Sequence, residues 1–161
     1  MTTSFPDIET RDQLRREYPA QPLVGVGAVV LDRDMVLLIR RGRAPLQGEW
    51  SLPGGLLELG ETTAEGATRE VWEETGVRVR PVVLVATLDR ILRDHTAAVQ
   101  FHYVLVDWCC VPVEQDRPAP TCGDDALAAE WVALSNLPQY HLAESTVEVI
   151  EKARSALAEP S

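Results

Sequence analysis

Residues 55–77 read GLLELGETTAEGATREVWEETGV. Thr62 stands three residues before Glu65, the spacing of a capping box, and Gly76 occupies the place of a left-handed C′ residue, so a helix is expected from Thr62 or Thr63 to just before Gly76. At about 100° per residue, Glu70, Glu73 and Glu74 share one face of that helix, and Ala64, Ala67, Val71 and Thr75 form the adjoining face. The helix should therefore pack on a sheet along one side and present three carboxylates on the next.

Three carboxylates held together raise one another's pKa unless something positive sits between them, and a hard dication with oxygen ligands is the natural partner. Glu58 and Glu61 lie in the loop before the helix, placed to add ligands or to orient them. Gly54 and Gly55 let a main-chain carbonyl approach a cation where a Cβ would stand in the way. Arg69 can lock a glutamate through a bidentate pair. A cation so placed polarises a phosphate oxygen and lowers the pKa of a bound water, the two requirements for cleaving a diphosphate. An i, i+3, i+4 glutamate triplet taken alone is usually a solvated face, so the triplet does not decide the chemistry by itself.

Outward from this segment, Leu23–Leu31 and Met35–Arg40 are apolar runs joined by Asp32-Arg33-Asp34, which predicts a hairpin of two largely buried strands. Arg41–Gly48 is a basic loop leading to Trp50 and the breaker run Pro53-Gly54-Gly55. Val82–Ile91 and Ala97–Cys110 carry β-branched and aromatic residues at strand density and should pair as a second hairpin about Arg93-Asp94-His95. Val111–Leu127 reads as a long surface loop, Ala128–Leu134 as a short strand, and Leu142–Leu157 as a helix whose apolar stripe is Val147, Ile150, Ala153 and Leu157. Residues 1–20 read as a loosely attached N-terminal arm with a short helix over Glu9–Glu17, and residues 21–161 as one catalytic domain. The order β, β, α, β, β, β, α predicts an α/β fold, a mixed sheet with helices on both faces.

The 161 residues suffice for one domain with its own core. Acidic side chains number 25 and basic ones 15, a net charge of -10 that repels a nucleic-acid backbone but is compatible with a small anionic substrate bridged by divalent cations. Cys109, Cys110 and Cys122 lack zinc spacing and fit reduced thiols. Met1–Arg16 lacks the apolar run of an export signal, and the longest apolar stretches, Val24–Leu31 and Pro81–Ala86, are shorter than the ~20 residues of a membrane helix. A cytoplasmic protein that binds neither membrane nor nucleic acid is expected.

Gly55, Glu61 after five residues, then Arg69-Glu70-Val71-Trp72-Glu73-Glu74-Thr75-Gly76-Val77 after seven more resembles the complete Nudix box without a departure. The resemblance implies the α/β/α sandwich of Nudix hydrolases and attack by water on a phosphorus of a nucleoside diphosphate linked to a moiety X. It implies Mg²⁺, with Mn²⁺ as a substitute, held by Glu70, Glu73, Glu74 and the Gly54 carbonyl, with Arg69 and Glu61 bracing the site. It leaves the general base unassigned, and family habit together with the N-terminal arm suggests a homodimer. Glu114, Asp116, Asp124 and Asp125 lie in a loop that can supply a further acid, although loop acids are more often simply solvated. Arg40, Arg41 and Arg43 are placed to meet substrate phosphates, and Trp50, Phe101, Tyr103 or Trp108 to stack on a base, though strand aromatics are more often core. No chemistry is assigned to His95, His102 or His141.

The chain departs from the larger ADP-ribose pyrophosphatases, which carry a proline about sixteen residues past the box where this sequence has Leu92, Arg93 and Asp94. It also lacks the tyrosine of the dinucleoside polyphosphate hydrolases and the SQPWPFPxS run of the NADH pyrophosphatases. Length and layout are most similar to small ADP-ribose pyrophosphatase-like members, so ADP-ribose or a related nucleotide sugar is the expected substrate. The alternative is a pyrophosphohydrolase of oxidised nucleoside triphosphates. A ligand-sensing module without catalysis is disfavoured by the intact charged positions of the box and by the lack of an appended helix-turn-helix.

Overall fold

Strand alternation divides the apolar residues of the chain into two cores, one on each face of a mixed sheet. The computed structural model describes residues 15–123 and 125–159. Its elements are β1 (Leu23–Asp32), β2 (Met35–Arg41), β3 (Trp50–Ser51), β4 (Gly54–Leu56), α1 (Thr63–Thr75), β5 (Val79–Arg93), β6 (Val99–Pro112), β7 (Ala126–Ala133), a 3₁₀ helix (Leu134–Tyr140) and α2 (Glu144–Ala158). The seven strands run β3-β2-β1-β6-β5, with β4 also on β1 and β7 also on β2. Val26, Ala28 and Val30 of β1 pack with Leu37, Cys110 and the Ala67 and Val71 side of α1. Val29 and Leu31 pack with Val36, Leu38, Cys109 and the Val149, Ile150 and Ala153 side of α2. The predicted α/β/α layering is what these two clusters build.

The predicted first hairpin is present only at its turn, where Leu31 opposes Val36 and Asp32 opposes Met35. Beyond that point β1 pairs in parallel with β6, from Leu23 opposite Tyr103 to Val30 opposite Cys110, and its other edge takes β4. β2 diverges to pair along its length with β7. Strands apolar on both faces belong inside a sheet, with partners on both edges, and those partners come from sequence-distant segments. The second hairpin forms as read but is longer, since Val79 already opposes Pro112. At its turn Asp94 Oδ1 accepts hydrogen bonds from the Thr96 and Ala98 amides.

The breaker run Pro53-Gly54-Gly55 includes a short strand, β4, because Gly54 and Gly55 lie against Gly27 and Val26 of β1. The buried stripe of α2 is Thr146, Val149, Ile150 and Ala153, whereas Val147 and Leu157 face solvent. The buried positions follow i, i+3, i+4, i+7, but a polar residue, Thr146, holds one of them, so a stripe drawn through apolar residues alone turns away from the true face. The helix read over Glu9–Glu17 falls mostly outside the described residues, and residues 15–17 are not helical. The described end of the arm is tied to the β5–β6 hairpin, the Tyr18 amide donating to the Gln100 carbonyl at 2.7 Å and the Tyr18 hydroxyl to Asp94 Oδ2 at 2.6 Å.

Candidate active site

Helix α1 starts and stops as its sequence dictates. The Thr62 hydroxyl accepts from the Glu65 amide, the Glu65 carboxylate accepts from the Thr62 amide, and Gly76 closes the helix at φ 68°. Between these caps the helix turns its carboxylates toward β4. Glu74 is buried, and its Oε1 accepts a hydrogen bond from the Gly54 amide at 2.8 Å. Glu70 lies directly over Gly55, where any Cβ would collide with its carboxylate. Glu73 is the outermost of the three.

Arg69 ties the cluster together. Its Nη2 donates to Glu61 Oε1 at 2.7 Å and to the Leu56 carbonyl at 2.9 Å, its Nε to Glu61 Oε2 at 3.0 Å, and its Nη1 to Glu70 at 2.8 Å and Glu73 at 3.1 Å. The fork of the guanidinium thus holds the loop before the helix, β4 and the helix itself in one arrangement. Glu61 also accepts from the Glu58 amide at 2.8 Å, which fixes the loop, while the Glu58 carboxylate stands further off, 3.7 Å from Arg69. Hydrogen bonding to Arg69 holds the Glu61 carboxyl below its ordinary pKa.

The electrostatics differ across the cluster. Burial raises the Glu70 carboxyl in spite of Arg69. Burial pushes Glu74 up to about 8, with Glu70 adding repulsion and the Gly54 amide and Arg41 opposing it. A buried Glu74 and a half-buried Glu70, both of raised pKa and only Glu70 paired with an arginine, beside a backbone turn with no Cβ in the way, are a donor set suited to a hard cation with oxygen ligands. Among the described residues no trio of acids stands at coordination distance around one point, since Arg69 engages Glu61, Glu70 and Glu73. The carboxylate oxygens are nonetheless the donor type that a hard divalent cation takes.

These groups border a cavity of about 340 Å³ to which α1 and α2 both contribute. Arg41 and Arg43 line it, Arg41 half-buried and donating to the Pro45 carbonyl, Arg43 paired with Asp125 at 2.7 Å. Arg40 and Trp50 do not line it, and strand geometry explains why. They oppose each other across β2 and β3 and so share a face, whereas Ile39, Ser51 and Arg41 occupy the alternate positions that look into the cavity. Arg40 donates instead to the Gly48 carbonyl, and Trp50 packs edge-on against Tyr140 with ring centroids 5.1 Å apart.

Of the loop acids, Asp125 reaches the cavity, Glu114 and Asp116 lie on the exposed loop, and Asp124 is outside the described residues. Tyr103 lines the cavity, while Phe101 is in the core and the Trp108 indole donates to the Thr63 hydroxyl at the start of α1. His95, His102 and His141 are absent from its walls. The wall also holds Arg16, Arg90 and Asp107, none of which was singled out by sequence. Asp107 left one readable sign, a lone acid within the apolar strand Val99–Pro112 and in phase with Tyr103 and Leu105.

The sequence pattern of the NUDIX domain matches residues 21–153. The chain belongs to the Nudix family. A relative from Methanocaldococcus jannaschii, an ADP-ribose pyrophosphatase, is 33% identical over 135 residues, 82% of this chain and 74% of its own. The solved NUDIX domain of Shewanella oneidensis NrtR, in complex with ADP ribose, superposes with a TM-score of 0.67 at 25% identity, over 86% of this chain and 90% of that one. A MutT NUDIX hydrolase from Burkholderia pseudomallei superposes with a TM-score of 0.66 at 31% identity, over 82% of this chain and 98% of that one. This Nudix chain is a pyrophosphohydrolase of nucleoside diphosphates linked to a further moiety, and like its family it depends on a divalent metal. Among the described residues no helix is long and apolar enough to cross a membrane.

Proposed function

We propose that the protein hydrolyses ADP-ribose or a closely related nucleotide sugar with Mg²⁺, which Mn²⁺ can replace, at the Glu70–Glu73–Glu74 face of α1. The observation that carries this reading is the buried Glu74 and half-buried Glu70 at the Gly54–Gly55 turn, opening on a cavity lined by Arg41 and Arg43. Bound there by Glu70, Glu73, Glu74 and the Gly54 carbonyl, the metal would polarise the diphosphate and acidify a water. Arg41 and Arg43 bind phosphate oxygens of the substrate. Arg69, buttressed by Glu61, orients Glu70 and Glu73. The half-enclosed cavity limits access of bulk water, so these charges act at greater strength than they would in solvent. Water adds to phosphorus, the P–O bond of the anhydride breaks, and the departing phosphate takes the bonding electrons, giving AMP and ribose 5-phosphate.

The free thiols Cys109, Cys110 and exposed Cys122 suit a reducing cytoplasm. Val82, Leu84 and Ile91, exposed along β5 at the sheet edge, suit a homodimer. The division into an arm over 1–20 and a Nudix domain over 21–161 belongs to the same proposal.

The test is to incubate the purified protein with Mg²⁺ and a panel of ADP-ribose, other nucleotide sugars, dinucleoside polyphosphates and normal and oxidised dNTPs, resolving products by chromatography. AMP with ribose 5-phosphate, lost on chelation, is the expected outcome. A deoxynucleoside monophosphate with pyrophosphate as the dominant product would overturn the substrate assignment.

A further inference from the structure

On the α2 face of the sheet, β6 presents Tyr103, Leu105 and Asp107 in turn, and all three line the cavity. Asp107 is only 7% exposed. Its register neighbours are Gly27 on β1 and Ala86 on β5, neither of which carries a polar side chain. A Cβ at Gly27 would collide with the Asp107 carboxylate, so glycine there leaves the space this side chain fills. Among the described residues no group donates a hydrogen bond to it, and Arg90, opposite Tyr103 on β5, acts on it only through space. Burial pushes the Asp107 carboxyl up to about 6, so it is largely an anion at neutral pH.

Among the described residues no fully buried side-chain oxygen lacks a hydrogen-bond partner, so the Asp107 carboxylate opens on the cavity, at an inward strand position that would ordinarily carry an apolar residue. An ionised carboxylate is purely an acceptor, and two of its lone pairs suit a ligand offering two donors side by side. Tyr103, 8% exposed and stacked on Phe101 with centroids 6.4 Å apart, closes the far end of the strip, and Leu88 and Leu105 lie between. Gly27 opposes both Gly54 and Asp107, so the Asp107 carboxylate, leaning over Gly27, shares one cavity wall with the turn at the glutamates.

We infer that the Tyr103–Leu105–Asp107 strip is the subsite for an organic end of the substrate, with Asp107 the specificity-determining acceptor of its donors, either vicinal sugar hydroxyls or an N–H of the exocyclic amino group of a purine. This rests on the hydrolytic reading above only in placing the diphosphate at the glutamates.

The test compares the protein with its Asp107→Asn and Asp107→Ser variants on ADP-ribose, its hypoxanthine analogue and analogues lacking one hydroxyl of either ribose, with calorimetric titration of AMP and of ribose 5-phosphate alongside. The unaltered protein should disfavour one analogue by about ten-fold or more in kcat/KM, as sites built around a polar contact do. Asp107→Asn should lose that preference by raising KM for ADP-ribose, with kcat within about three-fold, the pattern of lost binding rather than lost chemistry. Discrimination against the hypoxanthine analogue identifies the amino group as the donor, and discrimination against a deoxy analogue identifies the hydroxyls. Unchanged KM and preference in both variants, with unchanged affinity for AMP and ribose 5-phosphate, would overturn the inference. If ADP-ribose is not hydrolysed at all, yet AMP or ribose 5-phosphate binds and binds about ten-fold more weakly to the variants, the subsite stands and only the hydrolytic reading falls.

Discussion

Glu73 and Glu74 occupy opposite environments on one helix face, and replacing each separates charge from shape. Glu73→Gln and Glu74→Gln are expected to lower turnover by orders of magnitude with the fold retained, as measured by steady-state kinetics beside circular dichroism. Arg69→Lys should also lose most activity and about 1–3 kcal/mol of stability in urea melts, because a point charge cannot span Glu61, Glu70 and the Leu56 carbonyl at once. Asp107 gives a pH signature. Its pKa is raised from 3.8 to about 6 on folding, so its contribution favours the folded state fully below the unfolded value and is lost as pH rises through the folded one. Urea melts should show Asp107→Asn gaining on the unaltered protein by about 2 kcal/mol between pH 4 and 7, and a constant difference across that range would contradict the assignment. The glutamates were legible because their spacing is local to one helix. Asp107 was not, because its isolation arises from Gly27 and Ala86 on two other strands, and sequence spacing does not report cross-strand neighbours.

At the scale of elements, α1 was legible to within a residue because its caps are local chemistry. Thr62→Ala removes the hydroxyl of the capping box and Gly76→Ala forces a Cβ into the left-handed region, so each should cost about 1 kcal/mol in thermal or urea unfolding. The longer strands were legible as strands, and so was the β5–β6 hairpin, but the partners of β1 and β2 were not. β1 and β2 look like a hairpin because they are consecutive and apolar, yet the partners that hold them are β6 and β7, from much later in the chain. The same alternation that hides Arg40 and Trp50 behind β2 and β3 brings Arg41 to the cavity. A basic run read as one unit is therefore split by the pleat of the strand that begins it.

For the whole molecule, the net charge of -10 and the cavity lined by arginines are reconciled by a divalent cation between acidic protein and acidic substrate. The exposed apolar residues of β5 lead us to expect a light-scattering mass near twice the 17.8 kDa chain at micromolar concentration, and a mass of one chain would count against the dimer. The family was legible because its box is a contiguous pattern, whereas the shape of the pocket depends on three strands and α2 meeting around Gly25 and Gly27. We propose the acidic face of α1 as a divalent-metal site for breaking a phosphoanhydride. Its most direct test is ADP-ribose hydrolysis by the unaltered protein and Glu74→Gln across a Mg²⁺ series with a chelated control. AMP and ribose 5-phosphate formed only with metal, and almost none from folded Glu74→Gln, is the predicted result. Turnover that survives chelation, or a Glu74→Gln variant near full activity at saturating Mg²⁺, would contradict it.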